Sequence, residues 1–461
     1  MSSRIRLLRN VNASVFAKAT SALTSVASVP ILINFLGVES YATWLVISAI
    51  PVWLSMADIG LGSVAANEMS LRVSRGDWLG AERIFHSTLA AMMALLAFGG
   101  VVVLGAVSLL PLGPWLGVDS ISPDQLRFTL TILGFSSLIS LQGTLAVGLL
   151  RAVQRADLAI WISGTKPLVD LTFTLIALLI GRDLYLLALS LMLSQIAFTL
   201  GGVAFGLKLC PNIRLGFSHA NASDIKYCLT KGVAFCTLPL SNASVLQGTT
   251  LIVNHVLGGP WVVIFNTCRT MMRVSQQAMN LLGQSFWPEF SHLVGAGDLR
   301  RLRKLHHILL GTNLLLALGV AGGILIFGPY IYGVWTANKL EVSRLLLLCF
   351  AMGVVANALW FSGSVVVSAA NRHEGYAMAY LLGCLASLPA CLALTKSWGL
   401  YGAALSPLVA DLFVIPVIFH RTLVITEESF LQLAKETVIS TRDFVRESIA
   451  KLSAFLTKTA S

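Results

Sequence analysis

Charge is scarce in this chain: only 11% of its 461 residues are Asp, Glu, Lys or Arg, while 56% are hydrophobic. Soluble domains carry about 25% charged residues. That deficit, with a mean hydropathy of +0.80, excludes a soluble protein over most of the length and predicts a polytopic membrane protein. Paired cysteines are also missing. The seven cysteines, at 210, 228, 236, 268, 349, 384 and 391, include no Cys-x-x-Cys, which argues against a disulfide framework or a zinc site and leaves them as small apolar residues. Neither Gly-x-x-x-x-Gly-Lys-Ser/Thr nor His-Glu-x-x-His occurs, removing the usual signatures of ATP hydrolysis and metalloprotease chemistry. No loop is long enough for a catalytic domain, so neither an enzyme nor a bound cofactor is expected. His306-His307, beside Arg303 and Lys304, reads as a solvated basic cluster. A cleavable signal is not apparent either, because Arg4, Arg6 and Arg9 lead into an apolar run from Val11 to Leu36, longer than a signal-peptide core.

What is present is a series of apolar windows of about 20 residues or more. They predict an all-α protein of about twelve transmembrane helices near 11–36, 41–66, 84–110, 125–150, 157–180, 183–208, 232–257, 261–288, 305–328, 342–370, 374–395 and 399–421. The net charge of +11, from 32 Lys and Arg against 21 Asp and Glu, fits basic cytoplasmic loops and not nucleic-acid binding. With both termini inside, eighteen basic residues fall in cytoplasmic segments, and only Arg127, Arg182, Lys339, Arg344 and Lys396 fall outside. The expected topology is therefore in/in.

The chain also repeats at a spacing of about 220 residues. Arg75-Gly76-Asp77 recurs as Ala296-Gly297-Asp298, and Glu68 aligns with Glu289. Asn34-Phe35-Leu36-Gly37 is echoed by Asn254 to Gly258, Gln154-Arg155 by Asn371-Arg372, and Leu184-Tyr185 by Leu400-Tyr401. Each half holds an even number of spans, so the copies enter the membrane in the same direction as parallel repeats, with a substrate path expected between them. The domains read as a six-helix lobe over 1–208, a cytoplasmic connector over 209–231, a second six-helix lobe over 232–425 and an amphipathic cytoplasmic tail over 426–461. That tail either lies on the membrane surface or packs on the bundle.

Ionisable residues at membrane depth carry the functional argument. Arg269 and Arg273 lie about 12 and 18 Å in from Trp261 at 1.5 Å per residue, near the midplane of a hydrocarbon core about 30 Å thick. Four apart, they share one helix face. They read either as a site for a negatively charged passenger such as a phosphate group, which fits the guanidinium fork, or as structural ion pairs. Lys18, early in the first span, either joins a cationic cavity or snorkels. Asp58, Asp170 and Asp411 are ion-coupling candidates, although Asp58 reads equally as the partner of an arginine, Asp411 equally as a neutral carboxyl bonded to another helix, and Lys166 and Asp170, four apart, as a self-neutralising pair. Glu68 and Glu289, at matching repeat positions, are candidate gates or plain interfacial charges. Pro30, Pro51, Pro167, Pro239, Pro389, Pro407 and Pro416 fall inside spans and permit bending.

Phe35-Leu36-Gly37, Tyr41-x-x-Trp44, Ala57-Asp58-Ile59-Gly60-Leu61-Gly62 and Asn67-Glu68-Met69 with Arg75-Gly76-Asp77 resemble the N-terminal half of O-antigen and exopolysaccharide flippases. Those belong to the multidrug/oligosaccharidyl-lipid/polysaccharide exporter superfamily. The resemblance implies two six-helix lobes around a cavity and movement of an undecaprenyl-diphosphate-linked glycan unit to the periplasmic leaflet of a bacterial inner membrane. Lys18, Arg269 and Arg273 then fall on the helices that carry basic cavity residues in relatives. It further implies coupling to a proton or sodium gradient, contact with membrane lipids, and glycan polymerase and chain-length proteins as candidate partners. The polar tail, in place of two further spans, counts against a lipid II flippase. Alternatives are a small-molecule or drug exporter of the superfamily, against which two midplane arginines weigh when the drug is a cation, and a membrane glycan polymerase or ligase.

Overall fold

The computed structural model describes residues 3–55, 60–118, 120–370, 372 and 374–460, and all regular structure among the described residues is helical. The chain divides into two compact units, Met1–Thr267 with Trp335–Leu340, and Cys268–Val334 with Glu341–Ser461. The first unit contains α1 (Ser3–Ile47), α2 (Ala49–Leu54), α3 (Leu61–Ser74), α4 (Trp78–Leu109), α5 (Leu112–Leu116), α6 (Pro123–Ala152), α7 (Ala156–Ile180), α8 (Leu184–Leu209) and α9 (Ala222–Leu257). Helix α10 (Gly259–Ala296) starts in the first unit and continues into the second. There follow α11 (Leu299–Trp335), α12 (Arg344–Ala369), α13 (Glu374–Leu405), α14 (Pro407–Thr426) and α15 (Phe430–Ala460). Among the described residues nine spans are long and apolar enough to cross a membrane.

In the first unit α6 is the hub, packing on α8, α3 and α4, while α1 pairs with α7. Lipid offers helices no hydrophobic reason to associate, so close packing and interhelical hydrogen bonds must hold such pairs. Thr20 of α1 donates through Oγ1 to the Gly164 carbonyl of α7 at 2.7 Å, and the Phe16 and Trp161 rings lie 4.3 Å apart. At one end of the unit Leu61, Met69, Phe85, Met92 and Leu149 close around Cys210, Ile213 and Cys228. That cluster seats the segment after α8. In the second unit α12, α13 and α14 pack on one another, and Phe290, Leu293, Leu302, Leu309, Val365 and Val366 join α10, α11 and α12.

Two features differ from the sequence expectation. The span expected at 41–66 is broken. Helix α1 bends at Gly37 and runs to Ile47, after which α2 and α3 are separate pieces. Pro51 has no N–H to offer the Ile47 carbonyl, and Gly60 takes a left-handed φ of 71° before α3. Met56 to Ile59, and with them Asp58, lie outside the described residues. The stretch expected as a connector over 209–231 is helical in its second half, because Asn221 accepts from the Ser223 amide at 2.9 Å and caps α9 from Ala222.

The repeat is written into the turns. Gly37 (φ 80°, ψ 171°) and Gly258 (φ 91°, ψ 175°) share a conformation that only glycine adopts readily. The Asp77 amide bonds the Arg72 carbonyl and the Asp298 amide the Leu293 carbonyl, with Gly76 and Gly297 both left-handed. Arg155 bonds Leu150 as Arg372 bonds Val367; Asn371 lies outside the described residues. Two further matches were not apparent from the sequence. Ser122 caps α6 and Ser343 caps α12 in the same way, and Gly117 and Asn338 are both left-handed.

Candidate functional site

Helix α10 is apolar on one side and polar on the other. Arg269, Arg273, Gln276, Asn280 and Gln284 recur every three or four residues, so they line one face. None of the five is buried within the protein. Between them, Cys268, Met272, Ser275, Met279 and Gly283 turn inward, Gly283 against Phe361 of α12. A polar face on a membrane helix is tolerated where it meets water or protein and not lipid. The two guanidinium groups repel each other electrostatically. Among the described residues no carboxylate is within ion-pair distance of Arg273. The glutamines and the asparagine that continue the arginine stripe are not among the residues singled out above from sequence, although their three- and four-residue spacing is there to be counted.

Lys18 stands on a comparable stripe in the first unit. Ser14, Lys18, Ser21, Ser25 and Ser28 follow one face of α1, all partly exposed. Among the described residues Lys18 makes no ion pair. Further along α1, Thr24, Ser25 and Ser28 border a cavity of about 240 Å³ that Trp44, Pro167 and Asp170 also line. Asp170 is bonded through Oδ1 by the Lys166 ammonium and by the Ser194 hydroxyl, the latter at 2.7 Å. Its charge is therefore matched within its own helix, as the four-residue spacing suggested.

Asp411 has a different environment. It is 8% exposed on α14, and the Trp360 indole N–H of α12 donates to its Oδ1 at 2.7 Å. The Tyr380 ring of α13 stacks at a tilt on Trp360, centroids 5.5 Å apart. No cation pairs with Asp411 among the described residues. Glu68 pairs with Arg72 one turn along α3 at 3.1 Å, whereas its repeat counterpart Glu289 is exposed on α10. Among the described residues no group of three His, Cys, Asp or Glu side chains is placed to hold a metal ion.

The chain matches no family model, and none of the curated proteins matches it in sequence. Solved structures do match. An inward-facing multidrug resistance MATE family transporter of the MOP superfamily superposes with a TM-score of 0.70 over 93% of this chain and 97% of its own, at 14% identity. An outward-facing MATE transporter gives 0.64 over 92% and 96%, at 15% identity. A third, a MOP superfamily transporter from Pyrococcus furiosus described as having a binding pocket of reverse polarity that suggests a different function, gives 0.63 over 92% and 96%, at 15% identity. The fold is that of the MATE transporters. It is the all-α membrane fold of twelve helices in two six-helix lobes that hydropathy and the repeat predicted. At these identities the likeness extends to architecture and not to the passenger.

Proposed function

We propose that the protein is an integral membrane exporter working by alternating access, with an amphipathic organic anion as its passenger. The observation that carries this reading is the α10 stripe, with two arginines one turn apart in the interior of a membrane helix and, among the described residues, no carboxylate pairing Arg273. A cation at the centre of a membrane helix costs about 2.5–3.5 kcal/mol on insertion scales, and two on one face suit an anion that can take both forks. The multidrug names of the structural neighbours favour a small passenger. A second reading is supported by the fit of paired guanidiniums to a diphosphate and by the motifs over residues 30–80: a flippase for undecaprenyl-diphosphate-linked glycan units in a bacterial inner membrane, with both termini cytoplasmic. Lys18 is assigned to the anion path in either case. Asp411 is the preferred coupling group for a proton or sodium ion, because Asp170 is already matched by Lys166.

Transport into or out of proteoliposomes distinguishes the readings. The expected result is movement of small amphipathic anions, reduced by about 10- to 100-fold in Arg269→Ala and Arg273→Ala and partly kept in Arg→Lys, the loss expected for one charge-assisted contact. Movement of a lipid-linked diphosphate glycan with the same arginine dependence would replace the small passenger with the lipid-linked one. Efflux of organic cations at full rate in the double alanine variant would sink both.

A further inference from the structure

We propose that the groove between α11 and α15 binds one anionic glycerophospholipid of the surrounding bilayer, an acyl chain lying along the groove and the phosphate resting on Arg442 and Arg446. The groove has a volume of about 580 Å³, with Gly311, Leu314, Leu315 and Leu318 on one wall and α15 on the other. It is created by close docking. Gly311 has no side chain where Thr441 comes in: a Cβ there would meet the Thr441 side chain well inside contact distance. Around that contact apolar surface stays uncovered, with Leu315 53%, Leu318 56% and Val438 69% exposed.

The position in the bilayer follows from length. Helix α11 has 37 residues, about 55 Å at 1.5 Å per residue, against a hydrocarbon core of about 30 Å. Its apolar part begins at Ile308, directly after His306-His307. The groove, starting one turn later, therefore lies where headgroups meet acyl chains. The charge pattern of α15 selects the headgroup. Arg442 and Arg446 are one turn apart and both line the groove, whereas Asp443 and Glu447 stand one residue on, about 100° round the helix. Arg442 does reach Asp443 at 3.3 Å, but both side chains are more than half exposed, and such a pair contributes little and exchanges readily. An apolar channel with two cations in its lining complements an anionic lipid better than a zwitterionic one.

Native mass spectrometry of the full-length protein tests it, with phosphatidylglycerol, phosphatidylethanolamine of the same acyl chains, and a polyprenyl phosphate as probes. Phosphatidylglycerol should bind about tenfold more tightly than phosphatidylethanolamine. Arg442→Gln with Arg446→Gln should abolish that preference at an unchanged melting temperature, and Leu318→Trp should weaken both lipids by filling the groove. The single variant Arg446→Gln serves as the milder form and should lose part of the preference. Equal binding of the two phospholipids by the native chain overturns the proposal, as does an unchanged preference in the double variant. Displacement of phosphatidylglycerol by polyprenyl phosphate at equal concentration would assign the groove to a polyprenyl chain, and groove-dependent dimers would assign it to a second copy; either rejects the phospholipid.

Discussion

Two carboxylates illustrate how differently the same residue type is managed at membrane depth. Asp170 has a cation one turn away and a hydroxyl from the next helix. Removing Lys166 alone, by Lys166→Met, should leave that charge uncompensated and destabilise the fold by about 3 kcal/mol, the lower end for a buried pair because both side chains keep some exposure. Lys166→Met with Asp170→Leu should recover most of the loss, which a denaturation series in detergent would measure. Among the described residues Asp411 accepts a hydrogen bond from the Trp360 indole alone. Asp411→Asn keeps an acceptor for that N–H, so thermal stability should hold while gradient-driven transport in proteoliposomes falls at least about tenfold, the cost of removing the titrating group. Asp411→Leu removes the acceptor as well and should lower stability by about 1–3 kcal/mol. Gradient dependence that survives in the Asn variant would transfer coupling away from this position.

At the scale of elements, α15 is the part of the chain whose placement the sequence left open, between the membrane surface and the bundle. It packs on α11. Leu433, Thr437 and Thr441 are buried, Arg303 bonds the carbonyls of Thr426 and Glu427 where α14 ends, and His307 donates through Nε2 to Glu428 at 2.8 Å. Burial pushes the Glu428 carboxyl up, but the hydrogen bonds from His307 and Thr426 and the nearby imidazoles outweigh it and hold the group below the ordinary glutamate range. A depressed carboxyl contributes stability that is complete above its unfolded value, about 4.3, and is lost as pH falls through the folded value below that. Limited proteolysis between α14 and α15 should therefore accelerate below about pH 4 and remain slow at neutral pH. Glu428→Gln should make the rate insensitive to pH over that interval.

At the scale of the whole molecule, the two copies agree in geometry where their sequences barely agree. Gly37 and Gly258 occupy the same glycine-only region of backbone space. Gly37→Ala and Gly258→Ala should each cost about 1–3 kcal/mol, and by similar amounts, since no atom stands within 4 Å of the added Cβ in either case and the strain is in the backbone alone. A marked inequality between the two variants, measured by thermal unfolding in the same detergent, would show that the turns do different work. The serines at 122 and 343 extend the correspondence to helix starts. Single serines are too common to be seen as a match until their side chains are found capping.

Composition and periodicity by themselves determined the membrane environment, the helical class, the number of spans and the parallel repeat. Each of these follows from local rules: an apolar run must satisfy its own backbone in lipid, and side chains three or four apart must share a face. The same rule placed Arg269 beside Arg273 and Lys166 beside Asp170. Partners further apart were beyond it. Trp360 lies 51 residues from Asp411, Ser194 lies 24 from Asp170, and His307 lies 121 from Glu428. Only the tertiary structure decided that α15 docks on α11, that Asp411 is bonded to an indole, and that the second span is broken around Pro51 and Gly60. The physical reason is that helical spacing specifies which residues share a face, whereas what that face meets depends on how separately formed helices pack.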